Sequence, residues 1–128
     1  SEKTLEINRK ACELAHEAIA EFAQDGRPRF VIGAIGPGTK LPSLGHIGYD
    51  ELEESFALQA EGLIEGRADA ILIETCQDPL QIKAAISGAR IAMKKLAKDL
   101  PLMAQVTVET TGTLLVGTEI GAAATILH

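Results

Sequence analysis

The sequence predicts an α/β protein in which four helices alternate with three parallel strands. Two observations lead to this prediction. Segments with apolar residues at steps of three and four alternate with short, continuous apolar runs. The ends of these runs, near Gly36, Glu74 and Glu109, are roughly 35 to 40 residues apart, which is a reasonable length for one strand–helix unit.

Composition limits the class of protein. The 128 residues are 46% hydrophobic and 23% charged, which is typical of a single soluble domain. The net charge of −6 and the few aromatic residues argue against nucleic acid as a partner. No apolar run approaches the roughly 20 residues that a membrane helix needs, and the charged start SEKTLEINRK is unlike a signal peptide. We therefore expect a cytoplasmic protein with no membrane contact.

The first helix is predicted from about Thr4 to Phe22, ending near Gly26 and Pro28. Its apolar stripe consists of Ala11, Cys12, Ala15, Ala18, Ile19 and Phe22. The run FVIGAI at 30–35 follows and lacks the alternation of a half-exposed strand, so we expect a strand that is buried on both faces.

Asp50 and Glu53 have the spacing of a capping box and predict the start of the second helix. This helix ends at Gly66, and the residues that it is expected to bury are Leu52, Phe56, Ala60 and Leu63. The run AILI at 70–73 is the second predicted strand.

Asp78 and Pro79 predict the start of the third helix, because aspartate accepts hydrogen bonds at an N-cap and proline suits the first helical position. This helix ends in a lysine-rich segment, and its inward residues are expected to be Leu80, Ile82, Ala85, Ile86, Ala89 and Met93. The third strand is predicted over Leu102 to Val108, and Thr118 is the predicted cap of the last helix.

Two architectures fit this alternation: a doubly wound sheet, and a piece of a (β/α)8 barrel. A complete barrel takes about 250 residues. We therefore expect residues 1–128 to form a single partial domain, cut at both ends, whose sheet has two unpaired hydrogen-bonding edges.

Polar segments follow each predicted strand, where parallel α/β folds place their ligand sites. Glu74 comes directly after an apolar run, so its carboxylate is partly desolvated and could accept hydrogen bonds from an ammonium or hydroxyl group. Glu109 stands in the equivalent place on the next strand, with Thr107 two residues earlier on the same face. The structural alternative for both acids is a strand-end carboxylate paired with a neighbouring cation or helix N-terminus.

The glycine-rich stretch 33–40 fits neither phosphate-binding pattern, and Gly36 more plausibly allows a sharp turn or a close backbone approach to a ligand. Cys76 could face the same side as Glu74 as a thiolate ligand or nucleophile. A small buried residue is the favoured interpretation, because no nearby His, Lys or second Cys lowers the pKa of its thiol. Cys12 is expected to pack in the core.

Four stretches resemble the homocysteine-binding domains of bacterial cobalamin-dependent methionine synthases, and they cover essentially the whole chain in the same order. They are residues 7–11 (INRKA), 36–46 (GPGTKLPSLGH), 69–78 (DAILIETCQD) and 106–113 (VTVETTGT). The resemblance implies a partial (β/α)8 TIM barrel, running from the second helix of the barrel to the fifth.

The resemblance also implies a reaction: transfer of a methyl group from methylcobalamin to the thiol of homocysteine, which gives methionine. The family deprotonates that thiol with zinc held by three cysteines, and none of those cysteine motifs occurs here. No catalytic or metal-binding residue is therefore assigned. We expect the isolated chain to be inactive and to bind neither zinc nor cobalamin by itself.

What the resemblance assigns to this chain is substrate binding. It places Glu74 against the amino group of homocysteine, and it places Gly36, Pro37, Thr107 and Glu109 at the mouth of the same pocket. The implied partners are the remainder of the barrel and the modules that bind folate and cobalamin.

Two other readings stay open. A non-catalytic half-barrel could self-associate through its exposed strand edges. Another small-molecule barrel enzyme, for example a phosphate-binding synthase, could use the loop near Gly36.

Overall fold

Four α-helices and three β-strands alternate along the chain in a computed structural model that describes residues 1–127. The helices are α1 (Glu2–Glu21), α2 (Tyr49–Glu65), α3 (Pro79–Lys95) and α4 (Ile120–Leu127). The strands are β1 (Ile32–Ile35), β2 (Ala70–Cys76) and β3 (Leu102–Val106). This confirms the predicted fold class.

The three strands form one parallel sheet in the order β1-β2-β3. Ile35 pairs with Ile73 of β2, and Ile73 pairs with Ala104 of β3. Parallel pairing brings the carboxyl ends of all three strands to one end of the sheet, where the predicted site residues are found.

The helices cover one face of this sheet, and the other face is open. Ile35, Ile71 and Ile73 point to the helical side and are at most 1% exposed. On the opposite face, Ile32 is 50% exposed and Met103 is 39% exposed. A doubly wound sheet has helices on both faces, whereas a barrel wall has them only outside. The structure is therefore consistent with part of a barrel.

The prediction that β1 is buried on both faces is wrong. Its residues alternate between exposed and buried, and Ile32 and Ala34 lie on the open face. The open face consists of Ile32, Ala34 and the residues of β2 and β3 beside them, and no helix within residues 1–127 covers it.

Two of the three predicted helix caps are wrong. Asp78 does cap α3, since its carboxylate accepts a hydrogen bond from the Leu80 N–H at 2.9 Å. The N-cap of α2 is Gly48, without a side-chain bond, so Asp50 lies inside the first turn, where its charge favours the helix dipole. In α4, the Ala123 N–H bonds to the carbonyl of Glu119, which puts Glu119 rather than Thr118 at the cap.

The predicted core is correct for α2 and only partly correct for the other helices. All four residues predicted to be inward on α2 are buried. Of the stripe predicted on α1, only Cys12 is buried and Phe22 is 64% exposed, because α1 contacts the fold through its α2 side alone. Leu80 is also exposed, because it lies on the outward side of the first turn of α3, whereas its neighbours Gln81 and Ile82 are buried.

Glycines allow the three long helices to approach one another closely. A Cβ added at Gly88 of α3 would lie 2.7 Å from the Glu53 carbonyl oxygen of α2. On the other flank of α2, a Cβ at Gly66 would lie 2.6 Å from the Arg9 carbonyl oxygen of α1. Because these contacts are with backbone atoms, α2 is held tightly on both sides.

None of the helices described in residues 1–127 is both long enough and apolar enough to cross a membrane.

Candidate functional site

Glu74 lies near the carboxyl end of the central strand, on the open face of the sheet. Strand alternation puts it on the side opposite Ile73, which is buried among the helices. The Glu74 side chain is half-buried and takes part in none of the salt bridges within residues 1–127. Apart from the backbone hydrogen bonds of the sheet, the one hydrogen bond of Glu74 within these residues is accepted by its backbone carbonyl from the Cys76 thiol. Pairing of the Glu74 carboxylate with a Lys or Arg, one form of the structural alternative, is therefore not seen within residues 1–127.

A bulge directly after Glu74 separates it from Cys76. The register of β2 against β3 shifts between Ile73 and Cys76, and Thr75 has a φ of 56°. A left-handed conformation at a β-branched residue costs roughly 1–3 kcal/mol, and such residues concentrate at functional sites. Because of the extra residue, Cys76 pairs with Val106 and turns back to the helical face, where it is fully buried.

The cysteines are therefore packing residues, as the favoured interpretation held. Burial raises the pKa of the Cys76 thiol to about 12, with a further contribution from the nearby charge of Asp78. Burial, together with the charge of Asp69, also raises the pKa of the Cys12 thiol. Neither thiol is suited to be a nucleophile or a metal ligand near neutral pH.

We expect both thiols to react slowly in the folded chain. At pH 8, a colorimetric disulfide reagent should modify neither Cys12 nor Cys76 quickly, and both after addition of denaturant. Above pH 9.0 the unfolded state ionises the Cys76 thiol while the folded state does not, so stability should fall as the pH rises towards about 12. Rapid labelling of one thiol at pH 8, assigned with the Cys12→Ala variant, would contradict this interpretation.

Gly36 and Pro37 follow β1 and lie beside the end of β2. Gly36 has a φ of 93°, and a Cβ added there would lie 3.2 Å from the Glu74 carbonyl oxygen. The peptide bond between Gly36 and Pro37 is cis. The chain thus turns sharply out of β1 next to the Glu74 backbone, which is the role that the sequence predicted for Gly36.

Thr107 joins this group at the end of β3, whereas Glu109 lies in the exposed turn that follows. The Thr107 N–H donates to the Cys76 carbonyl at 2.9 Å, which ties the end of β3 to the end of β2. Since β3 ends at Val106, the strand alternation that placed Thr107 and Glu109 on one face does not extend to them. Glu109 is exposed and opens a tight turn that the Gly112 N–H closes on its carbonyl at 2.9 Å.

Two buried polar side chains at the start of α3, which the sequence analysis did not assign to the site, hold the loop after β1. The Asp78 carboxylate accepts from the Ser43 N–H at 2.8 Å and from the Ser43 hydroxyl at 2.6 Å. The Gln81 Nε2 donates to the Pro37 carbonyl at 2.6 Å and to the Lys40 carbonyl at 3.4 Å. Both side chains are 0% exposed. The only signal in the sequence was the N-cap position of Asp78.

A cleft of about 270 Å³ lies on the outer side of the same loop. It is bounded by residues 36–40 and by Ile47, Leu52, Ser55, Phe56 and Gln59. Glu74 does not line it. The cleft therefore does not include the Glu74 residue, and the open face of the sheet remains the candidate site.

The described residues do not fit a zinc site. Within residues 1–127, no three His, Cys, Asp or Glu side chains are grouped so that they could hold a metal ion. The two thiols are buried and hard to ionise. What the open end of the sheet offers is a carboxylate without a salt-bridge partner in residues 1–127, beside a close turn, a combination suited to binding the ammonium group of a small molecule.

A parallel α/β wall with helices on one face and polar groups at its strand ends is the arrangement found in barrel-type α/β proteins. The sequence model described as Homocysteine S-methyltransferase matches residues 1–128, so the chain belongs to the homocysteine S-methyltransferase family. It is similar to the protein named methionine synthase from Mycobacterium tuberculosis, 46% identical over 125 residues, which are 98% of this chain. The methionine synthase of Mycobacterium leprae is 44% identical over 123 residues, or 96% of this chain. The chain spans about 10% of the length of each of these relatives.

Proposed function

We propose that this chain forms part of the homocysteine-binding wall of a methionine synthase, in which Glu74 receives the substrate's ammonium group. Its place in that barrel runs from the second helix to the fifth. The observation that carries the proposal is the half-buried Glu74 carboxylate, which forms no salt bridge within residues 1–127 and lies at the carboxyl end of the central strand. An ammonium group would supply the charge-assisted hydrogen bonds that this carboxylate lacks.

The chain's own residues bind and orient the amino acid end of homocysteine. Gly36 brings the loop close to the Glu74 backbone, and Thr107 fixes the end of β3 beside it. Pro37 and Glu109 complete the proposed mouth, Glu109 from the exposed turn after β3. Holding one end of a substrate in a fixed position lowers the entropic cost of reaction at its other end.

Activation of the thiol lies outside what residues 1–127 do. In the whole protein that we propose, zinc would favour the thiolate form of homocysteine, and methylcobalamin would supply the methyl group. Other parts of that whole protein would hold the zinc and the methylcobalamin. The further partners of the wall are the rest of the barrel and the folate and cobalamin modules.

A segment exchange in an intact synthase tests the proposal. The segment of the M. tuberculosis protein that this chain matches is replaced by residues 1–128, and methionine formation from homocysteine is measured. We expect turnover within about tenfold of the parent, because the two segments are 46% identical over nearly the whole chain. A folded exchange protein without turnover would contradict the proposal.

Self-association is a second candidate role, favoured by the edge positions of β1 and β3 and by the exposed apolar face beside Ile32 and Met103. Size-exclusion chromatography coupled to light scattering distinguishes it. If this role holds, the 128-residue chain elutes as a discrete dimer. A monomer at all accessible concentrations would exclude it.

A further inference from the structure

The loop after β1 is attached to α3 by one buried amide side chain. The Gln81 Nε2 donates to two carbonyls in the first part of this loop, those of Pro37 and Lys40. Its Oε1 accepts from the Gln77 N–H at 3.3 Å, one residue beyond the end of β2. A single side chain therefore connects the segment after β1 to the segment after β2.

Asp78 fixes the far end of the same loop. Its carboxylate holds both the N–H and the hydroxyl of Ser43, in the helical turn Pro42–Leu44, while it also caps α3. The two residues are three positions apart on the first turn of α3, and both are fully buried. A buried polar atom without a hydrogen-bond partner destabilises the fold, and each buried side-chain nitrogen and oxygen of these two residues has at least one partner.

These bonds lie directly beside the place where Gly36 approaches the Glu74 backbone. The loop approaches the end of β2 at Gly36, where an added Cβ would lie 3.2 Å from the Glu74 carbonyl oxygen, a tight contact. One and four residues further along, the carbonyls of Pro37 and Lys40 are bonded to Gln81. These two bonds are the only hydrogen bonds between residues 36–40 and α3 in the described part of the chain.

The geometry points to Gln81, supported by Asp78, as a positioning residue that sets the distance between the Gly36–Pro37 turn and the Glu74 carboxylate, and so the fit of the substrate's amino acid end. This inference rests on the proposed function. Gln81 does not touch the open face of the sheet and acts through the loop.

The test uses the intact M. tuberculosis synthase in which residues 1–128 replace the matching segment, called here the exchange synthase. Three substitutions are made in it. Gln81→Glu keeps the shape and the acceptor to Gln77 but replaces the donor by a carboxylate facing two carbonyls. Gln81→Met removes the donor without adding charge, and it serves if Gln81→Glu does not fold. Gln24→Glu is the matched control, since Gln24 is exposed in the short turn after α1.

We expect Gln81→Glu to raise the KM for homocysteine by about tenfold, with kcat changed by less than about threefold, and Gln81→Met to have a smaller effect in the same direction. In a Glu74→Gln background, the KM effect of Gln81→Glu should shrink to less than about threefold, because both changes act on the same contact. A purely structural role would lower the amount of folded enzyme, leave KM unchanged and show no coupling between Gln81→Glu and Glu74→Gln.

Amide hydrogen exchange followed by mass spectrometry gives a readout that does not need turnover. Gln81→Glu should speed exchange in peptides covering residues 36–46 and leave peptides from α1 unchanged. Unchanged exchange in that loop, or an unchanged KM, would overturn the inference. If the unsubstituted exchange synthase has no turnover, the proposed function fails, and the exchange rates of the loop still decide whether Gln81 positions it.

Discussion

Replacing Glu74 by Gln in the exchange synthase is expected to lower kcat/KM for homocysteine by about 10- to 100-fold, mostly through KM. Glutamine keeps the size of the side chain but removes the charge that pairs with an ammonium group, and a hydrogen bond to a charged group is worth about 1.5–3 kcal/mol. Steady-state kinetics with homocysteine as the varied substrate measures the change. Glu74→Ala should be at least as damaging.

The control for this prediction is Glu54→Gln, which removes an equal charge from the exposed surface of α2. It should leave both KM and kcat unchanged, because surface charges far from a site contribute little. If Glu74→Gln and Glu54→Gln gave the same kinetics, Glu74 would not be the ammonium contact.

Replacing Gly88 by Val is expected to have the largest effect on stability. The first side-chain atom alone would lie 2.7 Å from the Glu53 carbonyl oxygen and 2.8 Å from the Ala57 backbone nitrogen. Backbone atoms inside a helix cannot move aside, so the helices must separate, and overpacking of this kind costs about 3 kcal/mol or more. Urea unfolding of the 128-residue chain, followed by circular dichroism, should show a much lower midpoint or no folded baseline.

Gly121→Ala provides the opposite expectation in the same assay. Gly121 lies in α4, and a Cβ there meets nothing within 4 Å. Alanine should therefore raise the free energy of unfolding by up to about 1 kcal/mol through its better helix propensity. A stability loss for Gly121→Ala as large as that for Gly88→Val would show that helix packing at Gly88 is not the cause.

The order of elements and the position of Glu74 could be predicted from the sequence because both depend on local patterns. The apolar run before Glu74 determines the strand, and the parallel topology determines which end of the sheet it reaches. The Asp78-Pro79 signal likewise located the start of α3. The Asp50–Glu53 signal failed because Gly48 ends the preceding loop two residues earlier and the helix begins at Tyr49.

Features that depend on one irregular residue or on distant contacts could not be predicted. Spacing of two placed Cys76 on the side of Glu74, but the bulge at Thr75 reverses its direction. The role of Gln81 depends on carbonyls more than 40 positions earlier in the chain, and no local pattern marks that pairing. Exposure of Ile32 was missed because an all-apolar run gives no sign of which face is covered.

The glycine contacts on both flanks of α2 have a consequence for how this part of the barrel can move. A helix whose backbone touches its neighbours on the two sides can neither rotate nor slide without separating them. We therefore expect the three long helices to move together as one plate, and any widening at the open end of the sheet to come from the segments that leave the strands, such as residues 107–118.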